Sequence, residues 1–368
     1  FVAIQGVASD GHAHVAQAFE KGASGAVLRR DFKDAPAYTP GLRVDDTTQA
    51  LNDLGRVARD RSKAKICAVT GSVGKTGTKE ALAMILERQG EAHATQGNLN
   101  NHWGLPLTLA RMPIEANYAV LEMGMNHPGE IRPLSNMARP HVALITTIEL
   151  VHSEFFDSVE EIADAKAEIF DGLIDGGTAV LNRDNAMFDR LAAAARRAGV
   201  ETILSFGVHE KADVRLIDSR ADGLGTSVQA DVAGTDLRYR VGVPGSHWVF
   251  NSLGVLAAAK AMDTDLEVAG AMLARVSAPK GRGNRLAVPL DGGEMTLIDE
   301  SYNASPVAVV AAIEVLSAGE VASGGRRIAV LGDMLELGDK SDDLHRGLAE
   351  PLAARGIDAV FTAGPGMG

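Results

Sequence analysis

The sequence predicts an α/β protein: a mostly parallel sheet with helices on both faces, followed by a second, smaller α/β unit. Three observations predict it. An apolar run at 66–69 passes through a glycine-punctuated turn into a helical stretch at 80–86. From Lys63 to about Arg285 apolar strand-like runs alternate with amphipathic helical ones, the pattern of stacked βα units. From Leu286 the same alternation starts again.

The elements read in order as follows. Residues 1–45 form a short α/β piece, with a strand-like start at 1–4, a helical stretch within 11–21 and a strand at 26–28. This piece is too small to bury a core of its own and needs a neighbour. Residues 45–62 read as a connecting helix with Leu51, Leu54 and Val57 on one face. Strands of the central part are expected at 66–70, 118–122, 141–147 and 178–181. Short alternating runs within 201–243, separated by Gly and Asp, suggest an antiparallel patch. Residues 251–262 are helical, which makes Asn251 either a cap or a base-edge contact. The last part, 286–368, holds strands at 295–298, 328–331 and 359–362. Both ends read as cut: Phe1 is no initiator methionine, and the chain closes on Gly-Pro-Gly-Met-Gly just after a strand.

Composition narrows the function. With 46% hydrophobic and 23% charged residues the chain has the balance of an ordinary globular protein. Its net charge of −12 argues against a nucleic-acid or anionic-membrane surface, because phosphates would be repelled. The single cysteine, Cys67, sits in an apolar strand, so it reads as a small core residue and a disulfide framework is excluded. No apolar run approaches the ~20 residues that span a bilayer, and no signal peptide is visible. The expected compartment is the cytoplasm, without stable membrane insertion.

The chemistry concentrates at strand ends. Thr70-Gly71-Ser72-Val73-Gly74-Lys75-Thr76-Gly77 lies between strand and helix, where backbone N–H groups and a helix N-terminus can wrap around phosphate. Lys75 can reach β- and γ-phosphates and the Thr76 hydroxyl suits Mg²⁺. Val69 stands where the usual pattern has its first glycine. Glu122 closes the next strand and suits a magnesium ion, or is a solvated edge residue. His152 follows a third strand and is either a ligand or a surface loop residue. Lys166 shares a helical stripe with Ile162, Ile169, Phe170 and Leu173, so it points along a buried face. An ammonium there must snorkel, pair or be modified. Residues 97–104 are dense in amides, which suits turns or a polar ligand. Asp299-Glu300-Ser301-Tyr302-Asn303 and the run at 332–338 put acidic and amide groups at strand ends of the last part.

Together these motifs resemble the Mur ligases, the ATP-dependent amide-forming enzymes of peptidoglycan assembly. The phosphate loop, the runs at 98–106 and 121–126, residues 299–303 with Pro306, and the run at 332–338 carry the resemblance over nearly the whole chain. It implies a three-domain architecture: a partial UDP-sugar-binding domain at 1–45, a central P-loop ATPase domain at 46–285 and a partial Rossmann-like domain at 286–368. It implies ATP and two Mg²⁺ ions, with UDP-MurNAc-tripeptide and D-alanyl-D-alanine as substrates of a monomeric enzyme. By position, Gly71, Ser72, Gly74, Lys75, Thr76 and Gly77 would hold ATP phosphates, and Asn251 would touch adenine. Thr76, Glu122, His152 and a carbamylated Lys166 would ligate magnesium. Arg282 would lie near the phosphates, with Glu300 and Asn303 around the nucleotide and reaction centre. Trp248 and Ser305 depart from the family pattern, which has Asn at both places. The alternatives are a ligase of the same family that adds a single amino acid or glutamate, a P-loop kinase or NTPase switch, and a nucleotide-binding module without catalysis.

Overall fold

The computed structural model describes every residue except 7, 8, 35–39, 151–153, 223 and 292. The first part holds a 3₁₀ turn, helix α1 (Val15–Glu20) and the parallel pair β1 (Ala26–Arg29) and β2 (Gly41–Val44). The strand-like start makes only an isolated bridge, Val2 to Val27. Its core is four residues, Ala3, Val15, Ala26 and Leu28, as small as the sequence implied.

Helix α2 (Thr47–Arg61) is capped by Asp46, which accepts the Thr48 and Gln49 amides. Its buried face differs from the expected one. Leu51 is buried, but Leu54 and Val57 are 40% and 62% exposed, and Gly55, Ala58 and Arg59 turn inward instead. Two contacts set this rotation. Gly55 lies against Pro106, where a Cβ would come within 3.0 Å. The Arg59 guanidinium donates to the carbonyls of Ala138 (2.6 Å) and Arg139 (3.0 Å).

The central elements follow in order: β3 (Lys65–Thr70), α3 (Lys75–Glu87), β4 (Ala92–Ala94), α4 (Gly104–Arg111), β5 (Tyr118–Glu122), α5 (Ile131–Ala138) and β6 (Val142–Ile145). Then come α6 (Val159–Ala167), extended by a 3₁₀ turn, β7 (Thr178–Asn182), α7 (Phe188–Arg197) and β8 (Thr202–Gly207). The strands β9 (Val214–Ala221), β10 (Thr226–Val232) and β11 (Thr235–Val241) and the helices α8 (Ser246–Ala261) and α9 (Leu266–Leu273) complete the part. The strands make one nine-stranded sheet in the order β11-β10-β9-β8-β7-β6-β3-β5-β4. All pairs from β4 to β9 are parallel, and only β9-β10-β11 are antiparallel. The expected antiparallel patch is therefore shorter than 201–243, because β8 still pairs in parallel with β7.

Successive side chains of β3 alternate between two cores, which is why its whole run is apolar. Cys67 and Val69 pack with Leu82 of α3 and Leu253 of α8 on one face. Ile66 and Ala68 pack with Leu105 of α4 and Leu134 of α5 on the other. Cys67 is fully buried, and burial pushes its thiol pKa up, as expected of an inert core residue.

The last part opens with the antiparallel hairpin β12 (Asn284–Leu290) and β13 (Gly293–Asp299). Helix α10 (Pro306–Ala318), β14 (Ile328–Gly332), α11 (Ser341–Arg346), α12 (Ala349–Ala354) and β15 (Ala359–Ala363) follow, with β14 and β15 parallel. Strand β12 had no counterpart in the sequence reading. Among the described residues no helix is long and apolar enough to cross a membrane.

Candidate active site

The phosphate loop is the turn between β3 and α3. Strand β3 lies between β5 and β6, so the loop emerges at the carboxyl edge of the sheet beside their ends. Open parallel sheets bind ligands there. Two glycines fit the loop for steric reasons. Gly71 (φ 147°) lies so close to Thr146 Oγ1 that a Cβ would collide with it. Gly74 (φ 84°) precedes α3 in the left-handed region, and a Cβ there would come 2.8 Å from Asn251 Oδ1. Gly74→Ala is expected to cost about 1–3 kcal/mol of stability and to weaken nucleotide binding, read by thermal melting and ATP titration.

Hydrogen bonds stitch this loop to the segment after β6. The Ser72 amide donates to Thr147 O (2.8 Å), and the Ser72 hydroxyl donates to Glu149 O (3.0 Å) while accepting the Glu149 amide (2.9 Å). Thr146 Oγ1 donates to Val73 O (2.6 Å). Burial raises the Glu149 carboxyl above its ordinary value, opposed by a hydrogen bond from Thr147. Lys75 curls back over the turn, its Nζ donating to Gly71 O (2.7 Å) and Ser72 O (3.3 Å). Its amine is lowered from the usual value by burial, with Glu122 opposing and Arg282 adding to the shift. Those two charges reach Lys75 from β5 and from the segment just before β12, so three separate segments meet here.

Glu122 is 2% exposed. Its Oε1 accepts from Asn100 Nδ2 (2.8 Å), whereas Oε2 is buried and has no hydrogen-bond partner among the described residues. Lys166 is 1% exposed, as its helical stripe implied. Burial first, and the nearby Lys75 charge second, hold its amine well below the usual lysine value. Both effects favour the neutral amine over the ammonium. His152 lies outside the described residues. Thr76 is half-buried at the start of α3.

At the far side, the Arg282 guanidinium stacks over the Tyr302 ring, 4.2 Å from its centroid. Gly281 and Gly283 flank it, both with positive φ, and the loop is closed by Tyr302 N–H to Gly281 O (3.0 Å) and Gly283 N–H to Asp299 O (2.8 Å). Glu300 is exposed in area yet crowded by protein, and this desolvation pushes its carboxyl up to about 7, with Arg282 opposing and Asp299 adding. Asn303 is exposed and its Oδ1 accepts the Ala304 amide (3.0 Å), a local turn contact. The departures from the family pattern have structural uses. Ser305 caps α10, and the Trp248 ring covers Gly77, where a Cβ would come within 2.8 Å of it. Asn251 is not a cap: it lies inside α8, which starts at Ser246, and its carboxamide packs on Gly74.

Sequence reasoning missed Thr95, Asn100, Thr146 and Thr147. Asn100 stood inside the flagged amide run, with nothing to distinguish it from its neighbours. Asn101, one residue on, does plain turn chemistry, since its Oδ1 accepts the Trp103 and Gly104 amides.

Two family descriptions match this chain: Mur ligase middle domain over residues 69–259, and Mur ligase, glutamate ligase domain over 284–367. The chain belongs to the Mur ligase family. The chain is 33% identical over 366 residues to UDP-N-acetylmuramoyl-tripeptide--D-alanyl-D-alanine ligase of Rickettsia prowazekii, covering 99% of this chain and 79% of that one. The crystal structure of MurF from Acinetobacter baumannii superposes with a TM-score of 0.88 at 33% identity, over 100% of this chain and 78% of that chain. A MurF ligase from Thermotoga maritima in complex with ADP gives a TM-score of 0.81 at 28% identity, over 100% and 82%.

Proposed function

We propose that this Mur ligase joins D-alanyl-D-alanine to a UDP-MurNAc-tripeptide at the expense of ATP, releasing ADP and phosphate, in peptidoglycan synthesis. The observation that carries the reading is the convergence on Lys75. Its ammonium lies over the glycine turn, within the electrostatic reach of Glu122, Arg282 and the buried Lys166. The names of the relatives supply the substrates, and the relative solved with ADP supports the nucleotide.

In this reading the terminal carboxylate of the tripeptide attacks the γ-phosphate of ATP. ADP leaves and an acyl phosphate forms. The amine of D-alanyl-D-alanine then attacks the activated carbonyl, phosphate departs, and the amide carries the new bond. No side-chain nucleophile is needed. The work of the protein is to hold the triphosphate and offset its charge. The amides at the start of α3 and Lys75 do this at the loop, and Arg282 approaches from the segment just before β12.

The residues fit magnesium. Glu122 presents an unpaired buried oxygen, and Thr76 offers a hydroxyl beside the loop. Among the described residues no three His, Cys, Asp or Glu side chains converge as a metal cluster. Mg²⁺ does not need one, since it takes one or two carboxylates and completes its shell with phosphate and water. When bound, magnesium neutralises charge on the β- and γ-phosphates. Lys166 completes the proposal: an unprotonated buried amine can add CO₂ and, on losing a proton, become a carbamate, an anion suited to a second ion. We also propose the division at 1–45, 46–285 and 286–368, a monomer, and a cytoplasmic location where ATP and the sugar nucleotide are met.

Phosphate release from ATP tests the assignment. It should depend on D-alanyl-D-alanine and match amide product formed, whereas equal rates with and without that dipeptide would exclude a ligase. A screen of amines separates the two family alternatives: a single amino acid that outperforms the dipeptide would move the chain to a sister activity.

A further inference from the structure

We infer that Asn100 is a positioning residue that aims Glu122 at the metal. This rests on the reading of Glu122 as a magnesium ligand. The two carboxylate oxygens of Glu122 are treated differently. Oε1 is occupied by the Asn100 amide at 2.8 Å, and Oε2 is buried and has no hydrogen-bond partner among the described residues. A carboxylate buried with one oxygen satisfied and the other bare keeps a single direction in which to ligate, because rotation would strip Oε1 of its donor.

Asn100 is itself fixed. Its carbonyl accepts the Gly124 amide (2.9 Å), and its side chain lies so close to Gly124 that a Cβ there would come within 2.9 Å. The segment after Glu122 and the amide run thus close on each other. The backbone of Glu122 is held by a second clamp from the same stretch. Its N–H donates to Thr95 Oγ1 (3.0 Å), while Thr95 O accepts from Lys79 Nζ (2.8 Å), a lysine with no exposed surface. The ammonium of Lys79 thereby anchors the segment leading to Asn100. A metal ligand held at both backbone and side chain loses little freedom when the ion arrives.

Manganese, read by electron paramagnetic resonance as a stand-in for magnesium, tests this on the full chain with a non-hydrolysable ATP analogue. Asn100→Ala should weaken Mn²⁺ affinity about 10–100-fold. Excess metal should restore kcat, and KM for the UDP-MurNAc-tripeptide should stay unchanged. Asn100→Asp keeps the size but sets an anion against Glu122, and should weaken the ion at least as much. Thermal melting identifies the variants that fold. Wild-type Mn²⁺ affinity in a folded Asn100 variant would overturn the inference, as would a rise in sugar-nucleotide KM at unchanged metal affinity. Glu122→Gln separates the two levels. If it loses the ion while Asn100→Ala keeps it, only the positioning role fails. If Glu122→Gln also binds normally, the reading of Glu122 fails and the inference with it.

Discussion

Lys166→Ala should lower kcat about 10²–10³-fold, the scale of removing one preorganised electrostatic group from an active site, with ATP still bound. The expectation follows from burial. An ammonium at 1% exposure with no opposite charge among its shift-producing neighbours is costly, and the nearby Lys75 cation makes it more so. Burial therefore favours a neutral amine over an ammonium at this place. The proposed carbamylation would resolve the conflict by turning the amine into an anion near the Lys75 charge. The pH sense follows from the direction of the shift: a lowered amine value favours the unprotonated nucleophile for CO₂, and acidification through that value would protonate it. Stripping bicarbonate from the assay should reduce activity and restoring it should return activity. Lys166→Ala should be insensitive to bicarbonate. A Lys166→Ala enzyme with wild-type kcat would remove the residue from the mechanism.

Lys75→Met should have a similar or larger effect, because it removes the cation that lies over the phosphate turn. The loss should fall on kcat more than on the KM for D-alanyl-D-alanine, since Lys75 meets the charge that spreads during phosphoryl transfer. A second consequence comes from coupling. Lys75 depresses the Lys166 amine, so its removal lets that amine hold its proton more readily and disfavours the carbamate. The double variant Lys75→Met/Lys166→Ala should then be little worse than either single one. Steady-state kinetics of the four enzymes check this, and full additivity would contradict a shared role.

The fold was legible where pattern and burial agree. The strand at 66–70 and the helix at 80–86 fall within β3 and α3, because a strand buried on both faces is apolar throughout, although α3 already starts at Lys75 within the glycine-rich turn. The face of α2 was misread because it is set from outside the helix: Arg59 is drawn inward by two carbonyls about eighty residues away, which no local periodicity encodes. Strand β8 was absorbed into an antiparallel patch because its direction depends on pairing with β7, not on its own composition. Of the two readings of Asn251, a cap or a base-edge contact, the cap fails because α8 already begins at Ser246. The placement of Lys75 at the loop, Glu122 at a strand end and Lys166 on a buried face was legible in residue type and spacing. Asn100 was not, because its importance lies in which oxygen of Glu122 it occupies.

The most direct test is a crystal structure of the full chain with an ATP analogue, magnesium and bicarbonate. The account predicts the triphosphate against the start of α3 and Lys75, a magnesium ion on Glu122 Oε2, and a carboxylate added to Lys166 Nζ facing metal. A nucleotide bound elsewhere, with Glu122 unligated and Lys166 a bare amine, would contradict it.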